Sequence, residues 1–141
     1  MSGSLHTLYA YVEGGDLAEI APMVEARWAE FVRSGNWRLA PPVVVNQPHP
    51  RTPDMRADDL PSWDLGVSFA LPNPGEEPRG WFSDVERIAA FAGILYAQIQ
   101  RPIIIGVWDA RGRISEDLFD VDSPEPNIDE LRAVLGVGDA R

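Results

Sequence analysis

The side chains able to carry covalent chemistry are few in this chain. All 12 basic residues are arginine, so lysine is absent, and cysteine is absent as well. Without lysine there is no Schiff base, pyridoxal attachment or phosphate-loop lysine. Without cysteine there is no thiol nucleophile, disulfide or zinc thiolate. These absences leave histidine, serine and carboxylate chemistry to consider.

Histidine and serine occur in patterns that do not favour catalysis or metal binding. His6 and His49 lie far apart along the chain, without the short spacings typical of metal-binding helices or fingers. Ser68 lies between Gly66 and Ala70 in the run GVSFA, which lacks the second glycine of a nucleophile elbow. We expect Ser68 to be a small residue on the polar face of a strand.

Carboxylates are numerous, and paired carboxylates can serve acid–base catalysis or bind cations. Asp120 and Asp122 have the D-x-D spacing that can hold a divalent ion, but so short a pattern is common in acidic loops. The calcium loop D-x-[DN]-x-[DN]-G does not occur, because Asp109 is followed by Arg111 and Arg113 at positions that need oxygen ligands. Gly14-Gly15 lacks the G-x-G-x-x-G spacing of a nucleotide-binding loop. The sequence therefore predicts no metal and no cofactor.

The distribution of charge is more informative than any motif. Acidic residues number 22, which gives a formal net charge of −10. From Ser115 to Glu130 the acids are joined by apolar Leu118, Phe119 and Ile128, without a single arginine. This acidity opposes nucleic-acid binding, which depends on basic side chains, and favours a basic protein partner.

We therefore predict a non-catalytic acidic binding protein that occupies a basic surface of a protein partner. Immunity or inhibitor proteins that neutralise a toxin or nuclease have this physical type, and we expect a bacterial source. The predicted partner-binding residues come from the acidic segment, from a proline-rich loop and from one tryptophan beside a turn: Glu116, Asp117, Phe119, Asp120, Asp122 and Glu125; Asp58 and Asp59; and Trp81.

Two alternatives remain open at this point. One is a small-ligand or enzyme domain with its pocket between the sheet and loop 46–62, and the other is a structural or assembly subunit. An enclosed cavity with convergent polar groups would favour the first, and a large apolar face would favour the second. Homo-oligomerisation also stays open. The pocket residues of the ligand-binding alternative would be His49, Arg51, Arg56, Asp58 and Asp59.

Nothing in the sequence indicates a membrane partner. No apolar run approaches the roughly 20 residues that a spanning helix needs. The first residues, MSGS, have no signal-peptide character. We expect a soluble cytoplasmic protein.

Hydrophobic periodicity predicts the elements that must position these residues. Alternation predicts strands, and 3.6-residue spacing with capping signals predicts helices. Gly93, inside the second helix, indicates close packing against another segment. The predicted elements are a strand at Leu5–Val12, a helix that is firm from Pro22, an interrupted or edge-placed strand at Trp37–Val45, a surface loop over 46–62, a strand at Trp63–Leu71, a helix opened by a capping box at Ser83–Glu86, a strand at Ile103–Trp108 and a short helix capped by Asn127.

The predicted order of the first six elements is β-α-β-β-α-β. This order is typical of a ferredoxin-like (split βαβ) α+β sandwich, with an antiparallel sheet and its two main helices on one face. We expect one domain over residues 1–141. A short C-terminal helix would lie within an acidic C-terminal extension over residues 113–141.

Overall fold

The computed structural model describes residues 6–14, 17–48, 63–72, 79–109 and 114–135. Five strands and three helices lie within these ranges. In chain order they are β1 (His6–Val12), α1 (Ala21–Ser34), β2 (Val43–Pro48), β3 (Trp63–Ala70), α2 (Phe82–Ile99), β4 (Ile103–Asp109), β5 (Ile114–Val121) and α3 (Ile128–Val134).

The five strands form one antiparallel sheet in the order β2-β3-β1-β4-β5. This confirms the predicted small α+β domain with an antiparallel sheet, two main helices and a short C-terminal helix. The assignment to the ferredoxin-like arrangement within that class stays a prediction. Strand β5 extends the sheet beyond the six predicted elements.

The core lies between one face of the sheet and the helices. Alternate residues of β1 and β3 are fully buried on this face, among them Leu8, Leu65 and Val67. Trp28 of α1 is fully buried, and its ring contacts Phe91 of α2 edge-on, with ring centroids 4.8 Å apart. Both main helices therefore meet over the same core, and the intervening residues of each strand point away from it.

The strand predicted at Trp37–Val45 is wrong in its first half, because β2 begins only at Val43, whereas its predicted place at an edge of the sheet is confirmed. The backbone N–H groups of Arg38 and Leu39 donate to the carboxylate of Asp84, at donor–acceptor distances of 2.8 to 3.2 Å. The Asp84 side chain, and not a neighbouring strand, therefore accepts these two backbone hydrogen bonds. The two prolines that follow have no N–H to offer a ladder.

The start of α2 also differs from the predicted capping box. The helix begins at Phe82, and the Ser83 hydroxyl donates to the carbonyl oxygen of Gly80 at 2.8 Å. Asp84 lies fully buried in the first turn, where it holds the segment at residues 38–39. The acidic residue therefore ties a connecting segment to the helix and does not cap the helix itself.

Gly93 is packed closely, as its position in the sequence predicted. A Cβ atom at Gly93 would lie 2.5 Å from the carbonyl oxygen of Pro124 and 2.7 Å from Cδ of Pro126. The segment that connects β5 to α3 thus crosses α2 at this glycine. Glycine allows a backbone-to-backbone approach that any other residue would prevent.

We predict that Gly93→Ala lowers the free energy of unfolding by about 1–3 kcal/mol, because the added methyl group meets backbone that cannot rotate away. Helix propensity alone gives the opposite sign, since alanine is favoured over glycine by about 1 kcal/mol. The exposed Ala90 in the same helix provides the control. Ala90→Gly should show only the propensity cost. Urea denaturation measures both variants, and a more stable Gly93→Ala protein would contradict this packing.

Candidate functional site

We call the sheet surface that points away from the core the open face. The five strands contain five acidic residues and no arginine. In the part of the chain that the structure describes, every arginine lies in a helix or a connecting segment. Strand-borne charge is therefore entirely negative at neutral pH. The acidic strand residues are Asp64, Asp109, Glu116, Asp117 and Asp120. The strand register places Asp64, Asp117 and Asp120 on the open face, together with Tyr9 and Tyr11.

Two tyrosines of β1 lie side by side on the open face. The rings of Tyr9 and Tyr11 are nearly parallel, with centroids 5.1 Å apart and an angle of 21° between their planes. Ser68 and Gly106 flank Tyr9, and Gly66 lies opposite Tyr11. A Cβ at Gly66 would lie 1.8 Å from the carbonyl oxygen of Ala10, so β1 and β3 approach too closely for a side chain there. Small neighbours leave space beside the rings.

A cavity of about 370 Å³ lies against these rings. Trp108 of β4 contributes a third aromatic side chain and is 37% exposed. We call this cavity the aromatic pocket. Its lining consists of three aromatic and two acidic residues, namely Tyr9, Tyr11, Trp108, Asp64 and Asp117.

Both tyrosines are held in their neutral form. The Tyr9 hydroxyl donates to Oδ1 of Asp117 at 2.5 Å. Partial burial, followed by this hydrogen bond and the Asp117 charge, raises the pKa of Tyr9 far above its ordinary value. Burial, together with the charge of Asp64, raises the pKa of Tyr11 as well. The pocket thus combines neutral π-systems with carboxylates.

These shifts predict how stability depends on alkaline pH. Because the folded-state pKa values are raised, their contribution to stability is fully present below the unfolded tyrosine pKa of about 10 and is lost as pH rises through the folded values. In an ultraviolet titration, the tyrosinate absorbance of Tyr9 and Tyr11 should appear only with alkaline unfolding. Tyr9→Phe and Tyr11→Phe should each reduce the tyrosinate absorbance that appears with alkaline unfolding. Ionisation of both tyrosines near pH 10 in the folded protein would contradict this account.

An irregularity between β4 and β5 places the acids of β5. The register shifts between Ile105 and Gly106, so Asp117 lies opposite Gly106 while Asp120 lies opposite Ile104. Both aspartates are exposed. Phe119, which we predicted as an apolar anchor for a partner, instead lies on the core face and is only 6% exposed. Alternation along the strand buries it.

A second cavity, of about 540 Å³, lies where β5 turns toward α3, and we call it the acidic groove. Asp117 lines both this groove and the aromatic pocket, so the two cavities share a wall. The structure thus brings together most of the acids that the sequence singled out. The exposed acidic residues of the groove are Asp117, Asp120, Asp122, Glu125 and Glu130.

The other predicted site residues are placed differently. Trp81 is half-buried and packs edge-on against Phe82, with ring centroids 5.6 Å apart. It therefore contributes to the edge of the core. Glu116 pairs with Val107 through the backbone, and its side chain lies outside the described residues. The loop residues His49, Arg51, Arg56, Asp58 and Asp59 also lie outside the described residues.

Sequence reasoning missed the aromatic pocket and one basic cavity. The usable signal for the pocket was the alternation in β1, where Tyr9 and Tyr11 interleave with core residues.

The basic cavity, of about 540 Å³, lies near the start of α2 and is lined by Arg38, Arg79 and Arg87. Arg87 lies over the Trp37 ring, 4.9 Å from its centroid. Positive charge thus collects beside α2, whereas the strands carry only negative charge.

Other kinds of site find no support in the part of the chain that the structure describes. Among the described residues, no three or more histidines and carboxylates are grouped so that they could hold a metal ion. Within the same ranges, no helix combines the length and apolarity required to cross a membrane.

Fold and site together define a small α+β domain with an acidic and aromatic sheet face. No protein-family model matches the chain, and neither a curated protein nor a solved structure matches it.

Proposed function

We propose that this protein is a non-catalytic binding protein whose open face and acidic groove occupy a basic surface of a protein partner. The observation that carries the proposal is the separation of charge in the fold. The strands contain no arginine and place Asp64, Asp117 and Asp120 on the open face, whereas the described arginines lie in helices and connecting segments. A rigid sheet that presents one sign of charge speeds encounter with the opposite sign and disfavours wrong partners.

Aromatic side chains on an open sheet also suit the stacking of nucleobases, but here the charge argues against such a ligand. Single-stranded nucleic acids are held by a positively charged groove together with stacking platforms. The strand that carries Tyr9 and Tyr11 lies in a sheet without arginine, and Asp117 is hydrogen-bonded to Tyr9 itself. A phosphate backbone across this face would meet carboxylates. A basic protein surface would meet complementary charge.

Within this class we propose an immunity- or inhibitor-type role, with a toxin or nuclease as the partner. An enzyme that acts on nucleic acid binds phosphates through basic side chains. Carboxylates held on a sheet and its adjoining turn can engage those same side chains and so exclude the substrate. The exposed Asp117, Asp120 and Asp122 supply three such carboxylates within a short length of chain.

The test compares two triple variants with the same change in net charge. One is Asp117→Asn, Asp120→Asn and Asp122→Asn, and the control is Glu19→Gln, Glu25→Gln and Glu30→Gln, at exposed residues in and just before α1. Each protein is used for affinity capture from an extract of the source organism at low and high salt. The captured basic protein is then purified for measurement of association rates.

We expect wild type and the control triple to capture the same basic protein. The aspartate triple should associate at least about tenfold more slowly at low salt, with its melting temperature nearly unchanged, because exposed charges affect encounter more than folding. Added salt should narrow the difference. Equal association rates for the two triples would contradict the proposal, as would the absence of any basic protein from the capture.

A further inference from the structure

We infer that the aromatic pocket receives an arginine side chain from the protein partner. This inference rests on the proposed function, and it names the chemical group that the open face recognises. The pocket lies in the middle of the sheet, because its residues come from the adjacent strands β3, β1, β4 and β5.

The aromatic side chains supply attraction for a cation. A guanidinium or ammonium group over the face of tyrosine or tryptophan is attracted by the ring quadrupole. Tyr9 and Tyr11 present nearly parallel rings, and Trp108 stands beside them with more than a third of its surface exposed. The hydroxyl proton of Tyr9 is engaged by Asp117, so this residue offers its ring and not a donor to a ligand.

A carboxylate in the lining, that of Asp117, supplies the matching charge. Asp64 lies on β3 and Asp117 on β5, so the strands that bear Tyr11 and Trp108 lie between them. The Tyr9 hydrogen bond occupies Oδ1 of Asp117, and a carboxylate accepts further donors at its second oxygen. An anionic ligand would be repelled by the exposed Asp117.

The shape of the group argues for arginine over lysine. A guanidinium is planar, stacks on aromatic rings and donates in a fork that matches carboxylate oxygens, whereas an ammonium is a compact and strongly hydrated point charge. Guanidinium also loses its hydration more readily. A second copy of this chain does not supply the ligand through its own open face, since none of the five strands contains arginine.

The experiment uses three short capped peptides that differ at one position. Each has lysines on both sides of a central residue, which is arginine, lysine or citrulline. Binding to the full chain is followed by heteronuclear NMR of the Trp108 indole. We expect the arginine peptide to bind about tenfold more tightly than the lysine peptide. The citrulline peptide, whose central side chain is uncharged, should also bind about tenfold more weakly than the arginine peptide.

Two variants of the exposed Trp108 distinguish attraction of the cation to an aromatic ring from apolar contact alone. Trp108→Phe keeps an aromatic face and should retain most of the preference for arginine. Trp108→Leu should lose the preference, with binding of the arginine peptide weakened about tenfold. In these two variants, binding is followed through the backbone amides of β1. Far-ultraviolet circular dichroism and the melting temperature confirm that both variants fold.

Equal affinity for the arginine and lysine peptides in wild type would overturn the inference, and so would an unchanged preference in Trp108→Leu. The proposed function is tested separately with Asp120→Asn combined with Asp122→Asn, because neither residue lines the aromatic pocket. If this double variant loses the captured partner while the peptides are not distinguished, the proposed function stands and the arginine assignment fails.

Discussion

We expect the replacement of Asp84 with alanine to lower the free energy of unfolding by about 3 kcal/mol, because two partly buried backbone donors lose their carboxylate acceptor. Asp84 is fully buried and accepts hydrogen bonds from the N–H groups of Arg38 and Leu39. These bonds tie the segment between α1 and β2 to the first turn of α2. The loss is measured by urea denaturation monitored by tryptophan fluorescence.

Two further variants show whether the acceptor itself is responsible. Asp84→Asn keeps one acceptor oxygen in nearly the same volume, so it should lose clearly less stability than Asp84→Ala. Asp129→Ala removes an exposed carboxylate from the first turn of α3 and should change stability by no more than about 0.5 kcal/mol. Equal losses for Asp84→Ala and Asp129→Ala would show that the buried carboxylate does not hold the segment.

The second large effect is expected at Trp28, the largest fully buried side chain. Its ring packs edge-on against Phe31 and Phe91, with centroid separations of 5.8 and 4.8 Å. Trp28→Ala leaves a cavity where α1 meets α2, and the free energy of unfolding should fall by about 4 kcal/mol. Thermal and urea unfolding both measure this loss.

Trp28→Phe provides the matched comparison. The indole Nε1 of Trp28 is buried and has no hydrogen-bond partner among the described residues. Phenylalanine removes that donor while it keeps an aromatic ring against Phe91, so most of the stability should remain. A Trp28→Phe protein as unstable as Trp28→Ala would contradict the view that ring packing, and not the indole N–H, stabilises this site.

Elements with an uninterrupted pattern were predictable from sequence. In β3, Leu65, Val67 and Phe69 alternate with smaller or polar residues, and the structure buries all three. Pro22 correctly marked the start of α1, which begins at Ala21. In β3 the alternation in the sequence matches the buried face, and in α1 the proline matches the first turn of the helix. Tertiary contacts therefore do not override the local preference of either segment.

Two features were not predictable because they depend on distant partners. Residues 37–42 look like a strand, but Asp84 takes the backbone donors of Arg38 and Leu39. Strand β5 looks like a solvated acidic stretch because an edge strand can expose carboxylates on one side. Among the described side chains of β5, only Phe119 and Val121 show the alternation of buried apolar residues that is typical of a strand. The register shift between Ile105 and Gly106 interrupts this alternation before Phe119.

The candidate site was predicted in part. The acidic segment supplies exposed Asp117, Asp120 and Asp122, as the charge pattern indicated. The aromatic pocket was not predicted, because it needs the strand order that brings β3, β1, β4 and β5 together. Residues from four separate stretches of sequence become neighbours only in the sheet.

The most direct test of the central claim is to map by NMR where a basic ligand binds. The peptide with a central arginine between lysines is titrated into the isotope-labelled protein, and amide and aromatic shifts are followed. We predict that the largest changes occur at Tyr9, Tyr11, the Trp108 indole and Asp117, while α1 and α2 change little. Changes concentrated on the exposed surface of α1, or spread evenly over the molecule, would contradict the claim that the open face is the binding surface.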